Sequence, residues 1–203
     1  MSFRKSSISS NEFHEGQHRF EHWYRDNTIY FITSRCRDRY PAFASEKAKE
    51  IFWDRYNFST QRYEFVPLIT SLLDNHYHAM LYGKVGENLG PFIRHLHGSV
   101  AKLVNDLLPK RLKFFWYDTG KQGYFDGCIR DELQHRRAHR YVLLQSVRHG
   151  LAKDYREYPH TIERVDVERA VKRSHELRCY LQDVPYARYQ KWRKKRGGRG
   201  GRS

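Results

Sequence analysis

The segment 74-DNHYHAMLYG-83 places two histidines, His76 and His78, one residue apart inside an apolar run. In a strand, residues i and i+2 share a face, so both imidazoles turn to one side and Tyr77 to the other. Two neutral imidazole nitrogens on one face can hold a metal ion and leave positions for a third protein ligand and for substrate oxygens. The same spacing also suits two ordinary structural histidines, so the rest of the chain has to supply the missing chemistry. The stretch 138-AHRYVLLQS-146 offers two further groups. Tyr141 and Gln145 stand four residues apart and project from the same side of a helix, about one turn from each other. The phenol is a candidate nucleophile and the carboxamide oxygen a candidate third ligand; the opposing reading is a packed tyrosine and a solvated glutamine.

These residues need elements to hold them. The β-branched and aromatic run 28-TIYFITSRC-36 predicts a strand, and 45-SEKAKEIFWDRYNFSTQ-61 predicts a helix capped by Ser45, with Ala48, Ile51, Phe52 and Tyr56 at helical spacing. Strands follow over 63–72 and 76–82, joined through Asp74 and Asn75 as a tight antiparallel hairpin. A second helix over 87–109 buries Leu89, Phe92, Ile93, Leu96, Val100, Leu103, Val104 and Leu107, leaves Arg94, His97 and Lys102 off that stripe, and stops at Pro109. A short strand over 123–131 and a helix over 132–150, terminated by Gly150, complete the pattern. The order strand, helix, strand, strand, helix, strand, helix predicts an α+β chain of the ferredoxin-like (RRM-like) type. Its antiparallel sheet carries helices on one face, and the last helix crosses the open face where the histidines lie. The expected organisation is a polar arm over 1–26, one domain over 27–160, a helical extension over 161–190 and an Arg/Gly tail over 191–203.

Composition narrows the partner. The 203 residues carry 38 Lys plus Arg against 23 Asp plus Glu, a formal charge of +15, which points to a polyanion. Aromatic residues make up 15 % of the chain, and rings beside cations suit unpaired bases. Cys36, Cys128 and Cys179 lack the short paired spacings of a zinc site. No run is long enough to span a bilayer and no secretion signal is evident, so a soluble cytoplasmic protein, monomer or homodimer, is expected.

Taken together, the hydrophobic strand ending in His-Tyr-His, the amphipathic helix, the stretch 123-GYFDGCIRDE-132 and the helix 140-RYVLLQSVRHGL-151 resemble the single-tyrosine HUH transposases. The resemblance is greatest to the REP-associated tyrosine transposases, whose segments run like NHVH, FxDxxIRDE and YIxxNPVxxGL, and it spans about residues 28–155. It implies an HUH endonuclease architecture in which His76, His78 and Gln145 hold Mg²⁺ or Mn²⁺ and Tyr141 is the nucleophile. The chain departs from that branch at Gln145-Ser146, where Asn-Pro is usual, and at Asp74, where Pro is usual. The implied activity is cleavage and rejoining of hairpin-bearing single-stranded DNA through a 5′-phosphotyrosine; the alternative is a domesticated, non-catalytic nucleic-acid-binding protein on the same fold, and a replication-initiator relative would share the chemistry. Arg94, Lys102, Arg130, Arg136, Arg140 and Arg148 are the candidate DNA contacts. His95, His97, His135 and His139 are read as non-ligands, and Tyr124 and Tyr155 stand next in line as nucleophiles.

Overall fold

The computed structural model describes residues 24–117 and 124–165. Strand β1 (Thr28–Arg35) leads to α1 (Glu46–Arg62), β2 (Phe65–Leu72), β3 (His76–Gly83) and α2 (Leu89–Asn105). There follow β4 (Phe125–Ile129), α3 (Glu132–Leu143), the single turn α4 (Gln145–Arg148) and β5 (Thr161–Glu163). The strands form one antiparallel sheet in the order β4-β1-β3-β2-β5. The first four strands with α1 and α2 are the expected ferredoxin-like unit, and β5 adds to the free edge of β2.

Strand alternation divides the sheet into two unlike faces. Tyr30 and Ile32 of β1 and Tyr77, Ala79 and Leu81 of β3 point into the main core, against Phe52 and Tyr56 of α1 and Phe92, Leu96 and Val100 of α2. Each of these large side chains, removed from water, contributes about 1.5–3 kcal/mol, so this face anchors the fold. On the other face Ile69 and Met80 meet Val142 of α3, with Phe31 and Ala138 beside them. This second core is small, and α3 covers only part of that face.

Several elements differ from the sequence expectation for identifiable reasons. Helix α2 ends at Asn105, short of Pro109, because the Asn105 side chain captures the returning chain: Oδ1 accepts from Leu112 N at 2.8 Å and Nδ2 donates to Leu112 O at 3.2 Å. Leu107 therefore lies beyond the helix and, like Leu103, is exposed. His97, expected off the stripe, is buried, stacked on Trp116 and hydrogen-bonded to the Tyr77 hydroxyl at 2.9 Å. The helix expected over 132–150 breaks at Leu144, where ψ is 7°. There the Gln145 side-chain Nε2 donates to Tyr141 O at 2.8 Å, the acceptor that the backbone N–H of residue 145 uses in an uninterrupted helix. Gly150, at φ 69°, ends the final turn as expected, with Leu151 N donating to Ser146 O at 2.8 Å.

Residues 161–163 form β5, where a helical extension was expected; the rest of that extension, the Arg/Gly tail and Cys179 lie outside the described residues. At the other end, residues of the expected arm are tied to the sheet: Arg25 N donates to Tyr30 Oη at 2.8 Å, and Tyr30 Oη donates to Arg25 O at 2.7 Å. Among the described residues no helix is long and apolar enough to cross a membrane.

Candidate active site

The turn that launches β3 is fastened from four sides. Lys49 Nζ, buried at the start of α1, lies 3.1 Å from Asp74 Oδ1. Phe43 N donates to Asp74 O at 2.8 Å, Cys36 N donates to Asn75 O at 2.7 Å, and Asn75 Nδ2 donates to Arg39 O at 3.0 Å. Asp74, the departure from the usual proline, thus substitutes an ion pair for ring stiffness. From this turn β3 runs through the centre of the sheet, and His76 and His78 emerge on the face opposite Tyr77.

The two imidazoles meet edge to face with ring centroids 5.0 Å apart. Each has its Nδ1 engaged. His78 Nδ1 is 2.7 Å from Thr33 Oγ1 on the neighbouring strand, and His76 Nδ1 is 2.6 Å from Asn75 Oδ1. The Asn75 amide is oriented by its donation to Arg39 O, so the atom facing His76 is a carbonyl oxygen, which only accepts. His76 therefore carries its proton on Nδ1 and presents a lone pair at Nε2, the tautomer a metal ligand needs. Both rings are held neutral: burial pushes His76 down to about 4, helped by His149 and Arg35, and burial pushes His78 down to about 3, helped by His76 and His149.

Tyr141, on the last turn of α3, brings its ring edge to face with His78 at 5.1 Å and with Phe31 at 5.9 Å. The guanidinium of Arg148 lies over the same ring, 5.1 Å from its centroid. Tyr141 is 38 % exposed, so the phenol is open to a ligand. Beside it a groove of about 640 Å³ runs between α3 and the sheet, lined by Phe31, Phe125, Gly127, Ile129, Ala138 and Arg137 among others.

The structure thus gathers His76, His78 and Tyr141. Gln145 is buried on the following turn with its Nε2 tied to Tyr141 O, which leaves Oε1 as the atom with ligand chemistry. By donor chemistry, imidazole nitrogens with an amide oxygen suit Mn²⁺, and Mg²⁺ with added water and phosphate oxygens. Among the described residues no group of three or more His, Cys, Asp or Glu side chains is arranged for a metal.

The other candidates lie elsewhere. His95 stacks on Phe58, His139 is 2.8 Å from Glu163, and His135 is buried in α3. Arg94 and Lys102 are exposed on α2, on the far side of the sheet from the histidines. Arg130 and Arg140 are exposed near α3, and Arg136 pairs with Glu132. Tyr124 has its hydroxyl pushed well up by burial, and Tyr155 sits in a separate turn under Arg156.

Four contributors escaped the sequence reading: Thr33, Asn75, Arg137 and His149. The ring of His149 stands 4.8 Å from that of His76. Its spacing of four from Gln145 and eight from Tyr141 repeats the helical interval and was the available signal.

A scan of protein-family models matches none, and no curated protein matches the sequence. Solved structures do. A REP-associated tyrosine transposase, determined bound to a REP hairpin, superposes with a TM-score of 0.61 at 16 % identity over 71 % of this chain and 82 % of that one. A "putative transposase" from Deinococcus radiodurans r1 gives a TM-score of 0.43 at 13 % identity, over 62 % of this chain and 95 % of the other. On the first of these, the chain has the fold of a REP-associated tyrosine transposase.

Proposed function

We propose that the protein is a metal-dependent single-stranded DNA transposase that cuts and rejoins hairpin-bearing DNA through a 5′-phosphotyrosine at Tyr141. The observation that carries this reading is the contact between the Tyr141 and His78 rings, which sets an exposed phenol beside a pair of neutral imidazoles. The resemblance of the site segments, the fold and the +15 charge support the same substrate class.

His76, His78 and Gln145 would hold Mg²⁺ or Mn²⁺, which when bound supplies positive charge to a non-bridging oxygen of the scissile phosphate. Tyr141 Oη forms the bond to phosphorus while the bond to the 3′ oxygen breaks. The proton lost by the phenol is balanced by the one gained on the departing 3′-hydroxyl. One phosphodiester replaces another, so a DNA 3′-hydroxyl can reverse the step and the outcome is strand transfer. Arg148, over the Tyr141 ring, is placed to pair with the phosphate charge as the phenol engages it.

The test is covalent capture. A 3′-labelled hairpin strand incubated with Mn²⁺ is expected to leave its label on the denatured wild-type protein and none on Tyr141→Phe, which loses one oxygen and keeps its packing. Label persisting on the Phe variant overturns the assignment of Tyr141. No adduct with either protein on any hairpin favours a binding module without catalysis.

A further inference from the structure

The open face of the sheet continues past the histidines in a direction the catalytic groups do not use. Arg35 ends β1 on that face and pairs in register with His76. On its other side the segment before residue 118 joins the sheet: Cys36 bridges to Trp116, and Tyr117 N donates to Arg35 O at 2.7 Å. This sets Tyr117, Arg35 and His76 in one row across three strands. The Arg35 guanidinium lies 4.7 Å from the Tyr117 ring centroid, and that ring is 42 % exposed. A second exposed ring, Phe114, follows at 53 %, with Arg37 5.0 Å and Lys113 5.5 Å from its centroid. Among the described residues neither Arg35 nor Lys113 has a carboxylate partner.

We infer that Tyr117 and Arg35 form a station for the unpaired strand that flanks the hairpin, in which a base stacks on the exposed ring of Tyr117 and Arg35 takes the adjoining phosphate. The guanidinium lies over an exposed phenol ring, and a guanidinium stacked on a ring keeps its N–H edges directed outward for phosphate oxygens. Rings of this kind serve any base, because stacking reads no hydrogen-bond pattern. Phe114 with Arg37 and Lys113 extends the same alternation of ring and cation along the edge. The charge and chemistry match single-stranded DNA, and the row leads directly to His76. The inference rests on the proposed action on hairpin-bearing DNA and adds where its flank is held.

The experiment measures binding of the full chain by fluorescence anisotropy to one hairpin carrying an oligo-dT flank, the same hairpin with an abasic flank, and the bare hairpin, with the flank placed in turn at either end. Wild type is expected to favour the dT flank over the abasic one by about tenfold, the range for one stacked base. Tyr117→Ala should bring that ratio to near unity, Tyr117→Phe should keep it, and neither should change affinity for the bare hairpin. Arg35→Gln should weaken both flanked forms alike and reduce the salt slope by about one. Hairpin binding by wild type that ignores the bases of the flank, or a Tyr117→Ala ratio equal to wild type, overturns the station while leaving the proposed function standing. Failure of wild type to bind any of the hairpins overturns both.

Discussion

Replacing Asn75 with alanine is expected to weaken the proposed metal binding without touching a proposed ligand. The wild-type amide holds the His76 proton on Nδ1 through a 2.6 Å hydrogen bond and is itself oriented by Arg39 O. Losing that acceptor removes about 1 kcal/mol of preference for the ligating tautomer, a factor of about five, and also frees the ring to turn. Partners behind metal-bound histidines are typically worth about 10- to 100-fold, so Mn²⁺ affinity should fall by about tenfold. Asn75→Asp is the companion variant: a carboxylate still accepts from Nδ1–H and should keep the tautomer, at the expense of the bond to Arg39. Nitrogen chemical shifts of the His76 ring in metal-free protein report which nitrogen bears the proton, and calorimetric titration with Mn²⁺ reports the affinity. Because Asn75 is partly exposed, unfolding stability should change by only about 1 kcal/mol. A wild-type His76 protonated on Nε2, or an alanine variant that binds Mn²⁺ as wild type does, refutes the reasoning.

Acid should destabilise the fold between pH 6.5 and about 3. His97 is pushed down to about 3 by burial, so the unfolded chain takes up a proton that the folded one refuses; its contribution is complete above the unfolded value and is lost as pH falls through the folded one. Urea midpoints measured from pH 7 to 4 should fall steadily, and His97→Gln, which cannot titrate, should flatten part of that slope. Gly86→Ala should destabilise by about 1–3 kcal/mol, because a Cβ there would sit 2.4 Å from the Arg25 backbone nitrogen and force Tyr24 and Arg25 off the domain. The variant's thermal midpoint should drop, and Arg25 amide protons should exchange faster.

The β2–β3 hairpin was legible from its two-residue turn, and both faces of β3 because alternation is a local property: a residue between two histidines on a strand turns to the opposite face, and Tyr77 does so into the core. Tyr141 and Gln145 were found at helical spacing, yet the break between them was not visible, since 132–150 keeps its periodicity through Leu144 and only a side-chain bond to a carbonyl interrupts it. Strand β5 is three residues long, too short to carry a period of two. The supporting contacts of the histidines were harder still. Thr33 reaches His78 across 45 residues of sequence, and Tyr117 reaches Arg35 across nearly twice that stretch. Such partners follow from register, which no single segment encodes.

The unequal cores divide the proposed catalytic groups by mechanical security. The histidines ride on a central strand whose reverse side is clamped by the large core, so their amide protons belong to the last part of the molecule to open. The phenol rides on α3, whose apolar hold on the sheet passes through the few side chains of the small core. Mild heating should therefore detach Tyr141 from a histidine pair that is still in place, and the proposed activity should fade and return reversibly at temperatures where the sheet gives no sign of melting.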